Sequence, residues 1–507
     1  MGVTKGFRLP ALIWLFSIGL IYSTTLIGKY LVGTDLHLEY YFANQTLING
    51  WDASVPHAYN GALSVTLLAP FLSKLLHIDL YTVFKFVFPF IYSFTPVVLY
   101  FIYRKYVSDS KAFWAAIFFI LVPTFFIEVT GIGREQIGEL MMALTFLFMV
   151  NKKWWLFGLF GILTILVHYS MSYIMAFYIV VYAAGMVVLT RKVNWRLFAV
   201  VGVILLCGYV FLNNVADGIP LKSAEYVGAS YIDPIAHPQG LDSAYSVKPG
   251  IYQYIDIGSR DTLVKMALGL DLLDAPIEGK IFRLTQFSIQ ALIILGGVIA
   301  LRKRYNPQLL ALMAGGVLIL LACVFVPSFA NILNPTRFYH LAMFFLPVAL
   351  VIGISTYKYW PRVIVLLALL YFSFTSGLVF EALKLQPDTV NVPYSIAASQ
   401  DRLDLGTKYS DDDIKCAEWL SQFDTPVYAD IYGLLIIQET LGLHPLYMLT
   451  ENVTTDCFIF LRSYNQETQT ITLWRGAGLR EYVSYAEFDF SEWNIVFQSG
   501  NAVIMRK

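Results

Sequence analysis

The sequence predicts a polytopic α-helical membrane protein with about eleven transmembrane helices and a small C-terminal α/β domain. Three observations carry that reading. Hydrophobic residues make up 57% of the 507 positions, and the mean hydropathy is +0.62. Charged residues reach only 14%, well below the roughly 25% of soluble domains. Apolar runs of the length needed to cross a bilayer, about 20 residues, recur over the first three quarters of the chain. Thirty-five basic residues balance thirty-five acidic ones, so no net field favours nucleic acid as a partner. Placement of the charges is therefore the informative quantity.

The first apolar run, Leu9 to Val32, follows Lys5 and Arg8 as a signal peptide would. It is too long for one and has no small-x-small pattern before Gly33, so it reads as a retained anchor. Spans are expected near 10–32, 81–103, 112–130, 133–150, 154–168, 170–190, 195–213, 284–301, 307–326, 337–356 and 361–380. The 154–190 stretch is too long for a single crossing, and "VHYS" at 167–170 offers the polar break between two spans.

Orientation follows from short-loop lysines and arginines, which stay cytoplasmic. Lys5 and Arg8, then Arg104, Lys105 and Lys111, then Lys152 and Lys153, then Arg191, Lys192 and Arg196, then Arg302, Lys303 and Arg304, then Lys358 and Arg362, all fall on one side. This predicts a multi-pass protein of the cell membrane with a cytoplasmic N-terminus. It also places loops 33–80 and 214–282 outside, together with the C-terminal segment. The first loop should hold a helix through Leu36–Asn49, and its 62–76 stretch, interrupted by Pro70 and Lys74, suits the interface. The second, with an amphipathic helix around Thr262–Leu273, is long enough to fold over as a lid.

Residues 1–381 thus form the membrane domain and 382–507 an external soluble domain. There "TPVYADIY", "CFIFLRSY" and "WNIVFQSGNAVIMRK" read as strands, the last as a hairpin through Ser499, Gly500 and Asn501. "DDDIKCAEWLSQF" reads as a helix capped by an Asp. Cys416 and Cys457 share this domain, either as a disulfide or as two buried thiols. The chain contains no GxGxxG, P-loop, nucleophile elbow or CxxC.

A second set of charges gathers at the expected outer ends of different helices, where the cytoplasmic rule does not explain it. The set comprises Asp35, Glu39, Lys85, Glu128, Arg134, His168 with Tyr169, Lys280, Arg283, Arg337 and His340. Ionisable groups at membrane depth are costly and usually paired or functional, so a common level suggests a shared cavity. Each has a plain alternative. Asp35 can cap the helix that follows, Glu135 and Glu139 suit an N-terminal turn, and Lys280 and Arg283 can snorkel to headgroups. Arg134 opposes the dipole of its helix and so calls for a bound anion or a buried carboxylate such as Glu128. Arg337 calls for the same. Two arginines can hold a phosphate and a carboxylate can deprotonate a hydroxyl, which fits a lipid-linked phosphosugar arriving sideways from the bilayer.

The stretches "GTDLHLEYYF", "LSVTLLAPFLSKLL", "VFKFVFPFIYSFTPVVLY", "VHYSMSYI", "GKIFRLTQF" and "VYADIYG … FIFLRS … GNAVIMR" resemble an uncharacterised family of archaeal predicted membrane proteins. That family is grouped with the GT-C superfamily of integral-membrane glycosyltransferases. The resemblance implies a sugar donor linked to a polyprenyl phosphate such as dolichol phosphate, with a glycan, lipid or protein acceptor at the cell surface. It makes Asp35, directly after the first span, the catalytic acidic residue, acting as base, with Glu39 as alternate. Arg337 is implied at the donor phosphate, with Arg134 as a further match, and the charges of His340, Lys280 and Arg283 make them additional candidate phosphate ligands. His168, Tyr169 and Tyr40 are substrate-binding candidates. No WWD-type signature of oligosaccharyltransferases is present. A metal bridging Asp35, Glu39 and His168 is an option that spacing does not indicate. The leading expectation is an inverting glycosyltransferase. A transporter or flippase of lipid-linked glycans, or a non-catalytic surface scaffold, are the alternatives.

Overall fold

The computed structural model describes residues 3–33, 35–55, 57–215, 272–273, 276–326, 329, 335–384, 409–442, 445–450, 453, 456–474 and 480–507. Most of the 214–282 loop, including all but the last two residues of the helix expected at Thr262–Leu273, lies outside the described residues. The N-terminal helical part comprises α1 (Val3–Thr25), α2 (Leu36–Asn49), α3 (Ser64–Leu76), α4 (Leu80–Tyr103), α5 (Asp109–Ile120), α6 (Pro123–Gly131), α7 (Gly133–Val150), α8 (Trp154–Val167), α9 (Tyr169–Thr190), α10 (Trp195–Asn214), α11 (Ile277–Arg302), α12 (Pro307–Phe325), α13 (Pro335–Ala342), α14 (Leu346–Ile354), α15 (Trp360–Thr375) and α16 (Leu378–Ala382).

Among the described residues, six helices are long and apolar enough to cross a bilayer, or up to eight if each bent pair counts as one span. The bent pairs are α5 with α6, at 68°, and α13 with α14, at 62°. Pro123 and Pro347 sit at the starts of their second halves, where the missing N–H breaks the preceding turn. The remaining expected spans are helical but fall short of that test. Arg134, Glu135 and Glu139 load α7 with charge, and α8 and α15 have only 14 and 16 residues. The break expected at "VHYS" is present, because His168 is extended (φ −156°) and its Nδ1 accepts the Ser170 N–H at 3.2 Å.

Two of the basic loop residues tie helix ends together, Lys105 at the C-terminus of α7 and Lys111 just beyond α14. Lys105 donates to the Val150 carbonyl at 2.8 Å, and Lys111 donates to Ser355 at 3.0 Å. At the other end of α7, some 27 Å away by helix rise, the chain leaving α1 folds back over the bundle. Lys85 ties this segment down through the carbonyls of Gly28 and Tyr30. Gly33 then crosses Gly131 at φ +142°, so close that a Cβ would overlap the Gly131 backbone. Only glycine adopts this conformation at this separation, and the crossing sets Asp35 over the start of α7.

The C-terminal domain contains α17 (Asp411–Leu420), α18 (Ile431–Leu441) and α19 (Ser463–Thr468). Its strands are β1 (Val427–Ala429), β2 (Leu446–Met448), β3 (Phe458–Leu461), β4 (Thr470–Trp474), β5 (Arg480–Ser484), β6 (Asn494–Ser499) and β7 (Ala502–Arg506). Its main sheet has the order β2-β1-β3-β7-β6, parallel across β2-β1-β3 and antiparallel beyond, while β4 and β5 form a separate ladder. The hairpin through Gly500 (φ +51°) is as the turn residues predict. The cap of α17 is Ser410, with Asp413 closing a capping box, rather than an Asp alone. A hydroxyl one residue before the Asp run reaches the third amide, which leaves Asp413 to bond back to Ser410 N. Cys416 and Cys457 are buried and unbridged, so the disulfide alternative is set aside. Beneath α18, Arg462 holds Asp430 through Nε at 3.0 Å and Nη2 at 2.7 Å. That buried fork, with Asn465 and the Gly433 N–H also on Asp430, joins the ends of β1 and β3.

Candidate functional site

Asp35 occupies the N-cap position of α2 but makes no side-chain bond to that helix. Its carboxylate points across the chain crossing instead, where Oδ2 accepts from Arg134 Nη2 at 2.7 Å. One turn later Glu39 closes on the start of α7, accepting the N–H groups of Gly133 at 2.7 Å and Arg134 at 3.3 Å as well as Arg134 Nη1. A carboxylate at a helix N-terminus satisfies both the unpaired amides and the dipole. Gly133 leaves room for it, since a Cβ there would lie 2.8 Å from Glu39 Oε2. The guanidinium of Arg134 rests 3.8 Å above the Tyr59 ring, and Tyr169 flanks it at 5.7 Å. Arg134 thus finds its anions in Asp35 and Glu39 and not in Glu128, which accepts from Thr336 at 2.7 Å.

Arg337 approaches from α13. Its Nη1 stands 3.6 Å from Glu135 Oε2, and its Nε has no hydrogen-bond partner. One turn deeper, Glu139 receives the Tyr92 hydroxyl at 3.1 Å and lies 3.0 Å from His340 Nε2. Glu135 and Glu139, one turn apart on α7, therefore face Arg337 and His340 on α13. They form a buried polar column running inward from Asp35, and Phe119 and Phe344 close it around His340.

Exposure divides these groups. The side chains of Asp35 and Arg337 keep 21% and 19% of their surface, whereas Glu39 and Arg134 keep 0% and 4%. Asp35 and Arg337 can meet a ligand, and Glu39 and Arg134 hold the frame. Burial acts to raise the pKa of Asp35, but the guanidiniums of Arg134 and Arg337 outweigh it and hold the carboxyl below its usual range. Burial pushes Glu39 up to about 7, against Arg134 and with the help of the neighbouring Asp35 charge.

The shift at Glu39 has a measurable sign. Between its ordinary 4.5 and about 7 the folded chain keeps a proton that the unfolded chain releases, so this contribution is complete below pH 4.5 and is lost as pH rises through about 7. The stability of wild type against thermal unfolding in detergent should fall relative to Glu39→Gln as pH rises across that window, by an amount on the order of a few kcal/mol. Parallel pH curves for the two proteins would refute the assignment.

The remaining expected residues divide in the same way. His168 is buried against Gly138 and near Arg134. Tyr169 joins the Arg134 cage. Tyr40 instead packs against Tyr81, ring centroids 4.6 Å apart and tilted by 50°, on the side of α2 facing the C-terminal domain. Lys280 and Arg283 lie in the first turns of α11, and the charges acting most strongly on Asp35 are Arg134 and Arg337, not these two. Among the described residues no three His, Cys, Asp or Glu side chains are grouped to hold a metal. Asp35 and Glu39 turn to Arg134, and His168 Nδ1 accepts from Ser170. Sequence reasoning did not select Tyr59, or Glu135 and Glu139 as partners of the α13 cations. Its one available signal was the "GIG" at 131–133, where glycine spacing marks close backbone approach.

The family described as Predicted membrane protein (DUF2206) matches residues 273–505. No curated protein matches the chain. Among solved structures, ArnT from Cupriavidus metallidurans bound to undecaprenyl phosphate aligns over 100% of this chain and 98% of its own, at 10% identity and a TM-score of 0.52. The apo oligosaccharyltransferase of Archaeoglobus fulgidus aligns with 87% of this chain at 13% identity and a TM-score of 0.48. The chain spans 64% of that enzyme's length, under two thirds of it. The mycobacterial arabinofuranosyltransferase AftD aligns with 88% of this chain and 32% of its own at 14% identity and a TM-score of 0.48. The match to ArnT shows that the two chains share a fold over their whole length.

Proposed function

We propose that this chain is a membrane glycosyltransferase that moves a sugar from a polyprenyl-phosphate-linked donor to an acceptor on the outer face of the membrane. The observation that carries the reading is the pairing of exposures. One carboxylate and one guanidinium, Asp35 and Arg337, reach the surface of a cluster in which Glu39 and Arg134 are buried props. In this reading Asp35 takes the proton of an acceptor hydroxyl as its oxygen attacks the anomeric carbon. The bond from that carbon to the phosphate oxygen breaks, and Arg337 neutralises the departing polyprenyl phosphate. A single displacement of this kind inverts the anomeric configuration. Arg134, already committed to two carboxylates, orients the base instead of binding phosphate.

The test is sugar transfer by the purified protein in lipid vesicles, offered a panel of polyprenyl-phosphate sugars and hydroxyl acceptors. Turnover that needs the lipid phosphate supports the reading, and no transfer from any donor would reject it. Sidedness is checked separately. A cysteine at 410 should react with an impermeant thiol reagent on intact cells and one at 303 should not, and the reverse result would move the site to the cytoplasmic face.

A further inference from the structure

The first turn of α2 is gripped from two sides. Glu39 faces α7, while His37, two residues earlier and so about 200° around the helix, faces the C-terminal domain. His37 is fully buried, and its Nδ1 lies 2.6 Å from Glu439 Oε1 on α18. Glu439 is itself buried and also accepts from the Tyr81 hydroxyl at the start of α4. Around this polar centre Gly442 packs against the Tyr41 ring, and Tyr409 stands edge-on to His37 at 5.6 Å. At the rim Lys29 and Tyr30 both donate to Asp411, at 2.8 and 2.7 Å.

A domain that only decorated the membrane bundle could dock through any surface. This one places a buried carboxylate on the helical turn whose N-cap is Asp35, and on the helix that holds the segment leading to it, since Lys85 of α4 carries the Gly28 and Tyr30 carbonyls. We propose that the C-terminal domain completes the catalytic site, with Glu439 as a positioning residue that fixes Asp35 through His37 and Tyr81. This rests on the role given to Asp35 above. Without Glu439 the turn is held only from the α7 side, through Asp35 and Glu39, and a displacement near 1 Å at a reacting group costs about 10²-fold in rate.

The experiment uses the full-length protein in vesicles. Glu439→Ala should lower kcat by roughly 10- to 100-fold with donor KM changed less than about threefold. Glu439→Gln, which keeps an acceptor for Tyr81, should recover most of the rate. Hydrogen exchange should quicken at residues 36–40 in Glu439→Ala and stay unchanged in α7. Restoring the dock covalently should restore the rate. With Lys29→Cys and Asp411→Cys joined by a short bis-maleimide, Glu439→Ala should return to within about threefold of the cross-linked parent. Unchanged exchange at 36–40, or a kcat that stays low after cross-linking, overturns the proposal. If wild type transfers no sugar, the catalytic reading falls by that result, and the exchange measurement alone still decides whether Glu439 orders the Asp35 turn.

Discussion

Asp35→Asn is expected to leave a folded, donor-binding protein whose transfer rate is down by roughly 10²–10⁴-fold, the usual contribution of a positioned general base. The amide keeps the shape of the carboxylate and one acceptor for Arg134 Nη2, so the clamp of Glu39 on Gly133 and Arg134 is untouched. What disappears is the basic oxygen. Arg337→Ala should separate from it in kind, by weakening donor binding on the order of 10²-fold through loss of a charge-assisted contact to phosphate, with residual kcat on saturating donor. The two profiles are read from donor binding and from single-turnover transfer. Because Asp35 makes no capping bond in α2, a purely structural role predicts little change for Asn in either measurement. Near-normal single-turnover transfer by Asp35→Asn would remove Asp35 from the chemistry.

Most of the membrane fold was legible because its signals are local. Apolar length is written along the chain, and the helix break at His168 and the hairpin at Gly500 stand where polar and turn residues say they should. The bends at Pro123 and Pro347 were missed because a hydropathy window averages over a proline and counts the broken pair as one span. At the site, the argument that a cation opposing its helix dipole needs an anion found Arg134 a real partner, but named the wrong carboxylate. Glu128 is close in sequence, whereas Asp35 and Glu39 arrive through a chain crossing 95 to 99 residues away. Nothing in a linear pattern states that crossing, save the glycines at 33, 131 and 133 that permit it. The same limit hid the contact of His37 with Glu439, which spans 402 residues.

Arg134→Ala should be the most damaging single change in the cluster. It strips two carboxylates of their shared cation and leaves Glu39 at 0% exposure beside Asp35. Breaking a buried ion pair from one side costs about 3–5 kcal/mol, and here the cage of Tyr59 and Tyr169 is left empty as well. A marked fall in thermal midpoint in detergent is therefore expected, with transfer lost even in the fraction that stays folded. The cause can be isolated, since the penalty comes from unpaired charge and not from a missing volume. Adding Asp35→Asn and Glu39→Gln to Arg134→Ala should regain much of the lost stability, because removing both sides of a buried pair costs far less than removing one. Transfer should not return, as the base has gone with the charge. A triple variant no more stable than Arg134→Ala would mean that Arg134 supports the fold by packing on Tyr59, and the electrostatic account of the clamp would fail.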